Sequence, residues 1–210
     1  MRFLLVVLIA STIVGCATPK APPDFSAFRA AAPRSILVVP IINKSLEIDA
    51  SNYVLTTLAV PLAEKGYYVF PVNTVKYVLE QEGFYEPERV QQERPADLAQ
   101  FFDADAVLFV TISRWDAQYA ILTTAVTVEL SYKMYDRNGQ EIWQAEKLVQ
   151  YSPQQQSGGH PLAALIAAAI SAVITKAAPN YMPLARQANT QVLILEPTAI
   201  PDGPYSNKVK

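Results

Sequence analysis

The sequence predicts a single α/β domain with a mixed sheet, a long antiparallel hairpin and flanking helices. In the first two thirds of the chain, short apolar runs alternate with segments of helical spacing, which is typical of α/β folds. A long stretch then alternates apolar and polar residues with period two, and a turn leads into a second such stretch. With 210 residues, 51% of them hydrophobic, the chain can bury one full-sized core.

The α/β part begins at residues 35–39, a continuous apolar run that fits a strand buried on both faces. Gly66 and Gly83 are placed to cap two helices at their carboxyl ends, and Pro61 predicts a kink or an early end in the first of these helices. After a loop over 40–50, the same patterns predict helices over 51–65, 71–82 and 95–102, and strands over 67–70 and 106–113.

A long hairpin is predicted next. Residues 119–135 alternate with period two as one strand, Asp136-Arg137-Asn138-Gly139 forms the turn, and residues 141–151 return beside it. Because the returning strand carries charge on both faces, a lipid-facing arrangement would be costly. We therefore expect a soluble hairpin with Lys147 accessible to water.

Three further segments follow the hairpin. Residues 154–159 predict a flexible break, and residues 161–178 predict an Ala-rich helix that is buried within the protein rather than spanning a membrane. Residues 190–195 are consistent with a last edge strand. The Pro-rich segment 196–210 predicts an extended, exposed tail, so the α/β domain is expected to cover 35–195.

The first sixteen residues predict a secretory signal that ends in a lipobox. A positive amino terminus precedes an apolar run, and Ile13-Val14-Gly15-Cys16 follows. The apolar segment is too short for the ~20 residues that span a bilayer. We expect removal of residues 1–15 and acylation of Cys16, for example with palmitate. Because residue 17 is Ala rather than Asp, we expect an outer-membrane anchor with the domain on the periplasmic face.

Residues 16–34 predict a tether between the lipid and the domain. The segment is rich in Pro and Ala, a composition that favours extended backbone over a packed core. At about 3.1 Å per residue, residues 17–34 would reach at most about 55 Å. Phe25 and Phe28 interrupt this composition, and we expect them to dock on the domain.

Composition excludes several chemistries. A net charge of −2 provides no basic surface for nucleic acid, and one Cys with one His cannot form the usual zinc site. The sequence contains no phosphate-binding Gly-rich loop and no recognisable cofactor motif. Asp103, Asp105 and His160 are the candidate acid–base residues, but turns and loops explain all three, so we predict no enzyme, no metal and no cofactor.

Two groups of residues are candidates for partner binding. The first is the loop containing Asn43, Lys44 and Ser45, which follows the carboxyl end of a buried strand, where α/β folds place binding surfaces. The alternative is that Asn43 and Ser45 only satisfy backbone donors of the loop. The second group consists of aromatic residues around the hairpin, which form either an interface patch or ordinary cross-strand pairs; they include Trp115, Tyr119 and Trp143.

Four segments carry a resemblance to a known family. The segments 35–45, 65–71, 104–108 and 135–143 resemble a family of bacterial lipoproteins of unknown function, and the similarity extends from about residue 35 to residue 185. That family is more distantly similar to the curli-secretion lipoprotein CsgG, the peptidoglycan-synthase activator LpoB and the amino-terminal domain of TolB. The resemblance implies a periplasmic α/β domain that works by protein contact, self-associates and accompanies CsgG-like proteins. It assigns no catalytic residue.

These observations together predict a non-catalytic adaptor or assembly factor. It would be anchored to the outer membrane by its lipid, form homo-oligomers and bind other envelope proteins in envelope biogenesis or secretion. The low charged fraction of 17%, against ~25% in average domains, is consistent with surface covered by partners. The alternatives are a CsgG-like oligomeric channel subunit and, third, a peptidoglycan-acting enzyme.

Overall fold

One mixed sheet organises the part of the chain that the computed structural model describes, residues 23–120, 123–151 and 181–206. The strands are β1 (Ser35–Val38), β2 (Ile42–Asn43), β3 (Tyr68–Val69), β4 (Ala106–Ala120), β5 (Thr123–Asp136) and β6 (Glu141–Tyr151). The helices are α1 (Ser26–Ala31), α2 (Ala50–Glu64), α3 (Val72–Gln81), α4 (Pro87–Gln92), α5 (Pro95–Phe102) and α6 (Met182–Thr190), and a π-helical segment, Gln191–Leu195, continues α6.

The strand order is β3-β1-β4-β5-β6. Strands β3, β1 and β4 run parallel, β5 and β6 are antiparallel, and β2 adds a short parallel pairing further along β4. The sheet is therefore mixed and contains the long hairpin of β5 and β6, with helices beside it. The predicted fold class is confirmed.

Helices cover both faces of β1. Ile36 and Val38 are fully buried in the larger part of the core, which also receives side chains from α1, α2 and α6. Leu37 and Val39 are equally buried on the opposite face, in a cluster with side chains of α3, α4 and α5. This arrangement explains the continuous apolar run of residues 35–39, because neither face of the strand is exposed to water.

The boundary between β4 and β5 differs from the prediction. Strand β4 extends to Ala120, seven residues beyond the predicted end at Ser113, and β5 begins at Thr123. Tyr119 therefore belongs to β4, where it pairs with Thr124 of β5. Periodicity could not reveal this boundary, because the alternation continues across it and residues 116–122 contain no Gly, Pro or Asn to mark a turn.

The predicted edge strand over 190–195 is wrong. The structure continues α6 into the π-helical segment, where Val192 and Leu193 are fully buried. The apolar residues Leu184, Ala188 and Val192 recur every four residues, which is a helical spacing. Taken alone, the short run Val-Leu-Ile-Leu at its end has the composition of a strand, because the preceding helical period is not visible within it.

The segment after residue 196, expected to be an extended and exposed tail, turns at residues 197–198 and 204–205, and part of it is buried. Ile200 is 0% exposed, and the Tyr67 hydroxyl donates a hydrogen bond to the Pro201 carbonyl at 2.7 Å. The Gly203 amide donates to the Lys65 carbonyl at 2.6 Å. Lys147, expected to be accessible to water, instead pairs with Glu196 at the start of the tail and is only 18% exposed.

Helix α1 lies inside the segment that was predicted to be tether. Phe28 is buried in the core and Phe25 packs against it, so the expected docking of these two side chains is confirmed. Residues 26–31 of the predicted tether are therefore part of the folded domain. The signal segment, Cys16, the Gln/Gly-rich break and the Ala-rich helix over 161–178 lie outside the described residues.

Candidate protein-contact site

The loop between β2 and α2, residues 44–49, is the strongest candidate for a functional surface, and we call it the contact loop. Its first residue is fixed to the sheet, because the Lys44 amide donates a hydrogen bond to the Ile112 carbonyl of β4 at 2.9 Å. At its other end the Ala50 amide, in the first residue of α2, donates to the Glu47 carbonyl at 3.3 Å. The loop therefore starts and ends on rigid elements.

Asn43 and Ser45 hold the loop in one conformation. The Asn43 Oδ1 accepts hydrogen bonds from the Ser45 amide at 3.0 Å and the Ser45 hydroxyl at 2.6 Å. The Asn43 Nδ2 donates to the Glu47 carbonyl at 2.7 Å, and the Glu47 amide donates to the Ser45 Oγ at 3.3 Å. These are Asx-type bonds, which replace backbone pairing in turns. Their polar groups are thus engaged within the loop, as the alternative sequence interpretation proposed.

The loop presents two aliphatic side chains to water. Leu46 is 98% exposed and Ile48 is 88% exposed, the highest values among the large apolar side chains of the described residues. Burying such a side chain on a partner contributes about 1.5–3 kcal/mol. A rigid loop loses little further backbone entropy when it binds, so this free energy is available for association.

Acidic residues alternate with the two aliphatic ones. Glu47 and Asp49 lie on either side of Ile48 in the sequence, and Lys44 lies exposed at the start of the loop. Both carboxylates are near the Tyr53 hydroxyl of α2: partial burial raises the pKa of Tyr53, and Asp49 and Glu47 raise it further. The loop therefore exposes apolar side chains at residues 46 and 48 and carries a negative charge on each side of Ile48.

Leu46 and Ile48 were missed as site residues by the sequence analysis, which selected Asn43, Lys44 and Ser45. The signal was the alternation of apolar and acidic residues after an Asn-x-Ser turn and before a helix. In a strand this alternation would indicate one buried face. In a loop that the polar residues already hold, it leaves the apolar residues exposed.

The two tryptophans of the hairpin region lie in the core of the chain. Trp115 is 3% exposed, and its ring lies 6.2 Å from that of Tyr53 and 6.0 Å from that of Tyr181. Trp143 is 6% exposed and donates its Nε1 hydrogen to the Thr198 carbonyl at 2.8 Å. The structure brings neither indole to the surface of the single chain. The side chain of Tyr119 lies outside the described part.

The candidate acid–base residues perform structural roles where the structure describes them. Asp105 Oδ2 accepts hydrogen bonds from the Arg34 and Ser35 amides at 3.0 and 3.1 Å and from the Ser35 hydroxyl at 3.2 Å. Partial burial alone would raise the pKa of Asp105, but these hydrogen bonds and Arg137 lower it below its ordinary value. Such a carboxylate is a poor proton donor near neutral pH.

Asp103 ends α5 in the left-handed conformation, with φ +51°, and its exposed carboxylate pairs with Arg137 at 3.2 Å. The structure thus joins Asp103 and Asp105 through one guanidinium, and the Ser35 hydroxyl beside them serves as a hydrogen-bond donor to Asp105. His160 lies outside the described residues.

Within residues 23–120, 123–151 and 181–206, no group of three or more metal-ligating side chains occurs. Over the same ranges, no helix has the length and apolar character needed to cross a membrane.

Fold and site together define an α/β domain whose most prominent surface feature is a rigid apolar loop. The model of the GNA1162-like lipoprotein family matches residues 23–205. A relative from Neisseria meningitidis serogroup B, lipoprotein NMB1124/NMB1162, is 35% identical over 165 residues, covering 78% of this chain and 74% of the relative. The chain therefore belongs to the GNA1162-like lipoprotein family, which confirms the resemblance that the sequence suggested.

Solved structures are also similar to this chain. The crystal structure of lipoprotein GNA1162 from Neisseria meningitidis is 33% identical, with a TM-score of 0.57, over 69% of this chain and 100% of that one. A PelC dodecamer from Paraburkholderia phytofirmans is 15% identical, with a TM-score of 0.49, over 86% and 96% of the two chains. The first of these structures independently supports the α/β fold.

Proposed function

We propose that this lipoprotein is a non-catalytic protein-binding adaptor or assembly factor, anchored by a lipid on Cys16 to the periplasmic face of the outer membrane. The observation that carries the proposal is the contact loop, in which Leu46 and Ile48 are almost fully exposed on a conformation fixed by Asn43 and Ser45. Exposed aliphatic residues on a preorganised loop favour association with another protein.

The electrostatics favour a protein over a lipid surface as the target of the loop. Glu47 and Asp49 surround Ile48, and anionic side chains are repelled by anionic lipid headgroups. A protein surface can instead offer an apolar pocket with a basic rim. The loop thus fits a macromolecular partner of opposite charge.

The core supports an adaptor more than a channel subunit. The apolar face of β5, which a lipid-facing hairpin would need, contributes Leu130, Tyr132 and Met134 to the domain core, each at most 1% exposed. Exposing this face to lipid would remove the packing of α2 and α6 against the sheet. The Tyr132 hydroxyl also donates to Asn189 Oδ1 of α6 at 2.7 Å, which ties the strand to that helix.

Crosslinking in cells tests the contact loop. A photoreactive amino acid at residue 46 or 48 of the full-length protein is expected to yield adducts with specific proteins, and the same amino acid at Tyr77, an exposed aromatic of α3, is not. When the photoreactive amino acid is at residue 46, adding Ile48→Ser should abolish the adducts. When it is at residue 48, adding Leu46→Ser should abolish them. Equal labelling from residues 46 and 77 would contradict a specific contact.

The anchor has its own test. Cys16→Ala is expected to leave a precursor that keeps residues 1–15 and carries no acyl chain, since processing requires the modified cysteine. The measurement is the mass of the protein and its distribution between membrane and soluble fractions. A Cys16→Ala protein that is still cleaved and still fractionates with lipid would contradict the anchor.

A further inference from the structure

An open groove lies beside the carboxyl-terminal tail, and we call it the tail groove. Its volume is about 640 Å³, within the ~300–1,000 Å³ of typical binding pockets. Helix α1 forms one wall and the tail forms the other. The lining residues that matter here are Phe28, Arg29, Ala32, Tyr67, Pro201 and Pro204.

Two aromatic side chains that are mostly buried form a fixed floor beneath the tail groove. Phe28 and Tyr67 pack edge to face with ring centroids 6.2 Å apart. Burial, and then Asp202, raises the pKa of Tyr67, so the neutral hydroxyl keeps its hydrogen bond to the Pro201 carbonyl. Two prolines of the tail complete the surface and restrict its backbone. The accessible apolar surface of the groove comes from Ala32, Pro201 and Pro204, and small aliphatic contacts fit it.

The contact loop and the tail groove have complementary charges. Glu47 and Asp49 are acidic residues of the loop, and Arg29 is a basic residue of the groove. Asp202 also lines the groove but is already paired with Lys65 of its own chain at 2.9 Å, so Arg29 is the charge that the groove offers to the loop. Opposite charges at the rim steer a contact and set its register.

The two surfaces lie at opposite ends of the parallel strands. The groove residues Ala32 and Tyr67 come just before β1 and β3, whereas the contact loop follows β2. Along β4, the pairing partner of Ile36 is Ala106 and that of Asn43 is Ile112. Six residues at ~3.3 Å each separate these positions, about 20 Å. A loop that is held by the sheet at one end and by helix α2 at the other cannot span this distance to reach its own groove.

We propose that the contact loop of one copy inserts Leu46 and Ile48 into the tail groove of a second copy of this chain. This inference rests on the proposed function, since it names the partner of the same loop. The contact joins two different surfaces, so it either pairs two copies reciprocally or repeats from copy to copy until a ring closes. The partner contributes residues that complete each groove.

Cysteine crosslinking in native membranes tests the proposal. The chain has one cysteine, Cys16, and unsubstituted protein is the control for it. Two differently tagged full-length copies are expressed together, one with Leu46→Cys and the other with Ala32→Cys. Mild oxidation is expected to join the two tags. The matched control pairs Ala32→Cys with Tyr77→Cys, an exposed site on α3, and should yield no product.

Charge reversal sharpens the test without disturbing the core. Adding Arg29→Glu to the Ala32→Cys copy is expected to lower the crosslinking yield roughly fivefold, the scale of a rim charge pair. Adding Glu47→Arg to the Leu46→Cys copy should restore the yield. Restoration would not follow if Arg29→Glu merely damaged the fold.

Each other outcome overturns the inference in a distinguishable way. Crosslinks between two Leu46→Cys copies, with none to Ala32→Cys, would mean a loop-to-loop contact. Crosslinks from Leu46→Cys to a different protein alone would retain the proposed function and remove the second copy as partner. Protection of Ala32→Cys from a thiol reagent in Leu46→Ser/Ile48→Ser protein would assign the groove to the chain's own termini. No crosslink from Leu46→Cys to Ala32→Cys would overturn the second copy as partner, and no photo-adduct from residue 46 with any protein would overturn both proposals.

Discussion

The two ends of the parallel strands use their side chains in opposite ways. At the carboxyl ends, Asn43 and Ser45 hold a loop that exposes Leu46 and Ile48 to water. At the amino ends, the polar groups bind the chain's own backbone, with Asp105 accepting from the start of β1. The second end is therefore built for stability. The first uses the same kinds of hydrogen bond to present apolar surface, which indicates a contact outside the chain.

The largest expected effect on stability is at the amino-terminal ends of the parallel strands, where the tail packs against Gly66. A Cβ on this residue would lie 2.1 Å from the Ser206 nitrogen and 2.6 Å from the Ser206 Cα, and the φ of +87° is itself unfavourable for alanine. Gly66→Ala is expected to lower the free energy of unfolding by about 3–5 kcal/mol, since strain and overpacking add. Urea unfolding followed by circular dichroism measures the change.

Gly83→Ala is the matched control for this substitution. Gly83 has the same φ of +87°, but a Cβ there would meet nothing within 4 Å. Only the backbone conformation is affected, at a cost of about 1–2 kcal/mol. Equal losses for the two variants would mean that the tail contributes nothing to the stability of this end, and the contrast between the ends would be lost.

The next largest effect on the free energy of unfolding is expected from substitution of Asp105. Asp105→Ala would remove the acceptor of two backbone amides, those of Arg34 and Ser35, and of the Ser35 hydroxyl. A loss of about 2 kcal/mol in the free energy of unfolding is expected, because three exposed or partly buried hydrogen bonds are removed and each contributes ~0.5–1.5 kcal/mol. Asp103→Ala is the control, since it removes an exposed carboxylate at the same edge. It should change the free energy of unfolding by no more than about 1 kcal/mol.

The same carboxylate makes stability depend on pH in the acid range. The pKa of Asp105 is lower in the folded chain than in the unfolded one, where it is about 3.9. Its contribution is fully present above the unfolded value and is lost as the pH falls through the lower folded value. Unfolding midpoints of Asp105→Asn should therefore fall less steeply than those of the unsubstituted protein below pH 4. Parallel pH profiles would contradict this role.

The contrast between the ends explains how much the sequence could predict. Periodicity predicted the core strands, because burial on one or both faces leaves a pattern along the strand, as at residues 35–39. The roles of Trp115 and Trp143 could not be predicted in this way, since an indole suits a core and an interface equally well. Only the position of the Thr198 carbonyl, 55 residues from Trp143, decides where that ring lies.

The tail and the contact loop escaped prediction for a related reason. A segment with three prolines carries no period, so nothing in residues 197–204 reveals that Ile200 is buried or that Gly203 contacts Gly66. The sequence predicted a loop over 40–50 after a buried strand, and in the structure the short strand β2 precedes the contact loop within that range. Its exposed residues were not identified, because which side chains a loop exposes depends on hydrogen bonds that the sequence does not specify.

A smaller effect on stability is expected at the carboxyl ends of the parallel strands, where the contact loop lies. Asn43→Ala removes the acceptor of the Ser45 amide and a donor to the Glu47 carbonyl, so the free energy of unfolding should fall by about 1 kcal/mol. Hydrogen exchange at the Ser45 and Glu47 amides should accelerate much more than exchange in β4. Lys44→Ala is the control, since only its backbone amide bonds to the sheet. Unchanged exchange in Asn43→Ala would mean that the loop is held by something else.

The smallest effect on stability should come from the residues most important for contact. Leu46→Ser/Ile48→Ser removes side chains that contact almost nothing in the chain, so the free energy of unfolding should change by less than about 0.5 kcal/mol. Leu58→Ala, a buried leucine of α2, should by comparison cost about 2–5 kcal/mol. A marked loss in the double serine variant would show that the loop packs within its own chain. An unchanged stability, together with loss of association, would show that Leu46 and Ile48 act in a contact outside the chain rather than in folding.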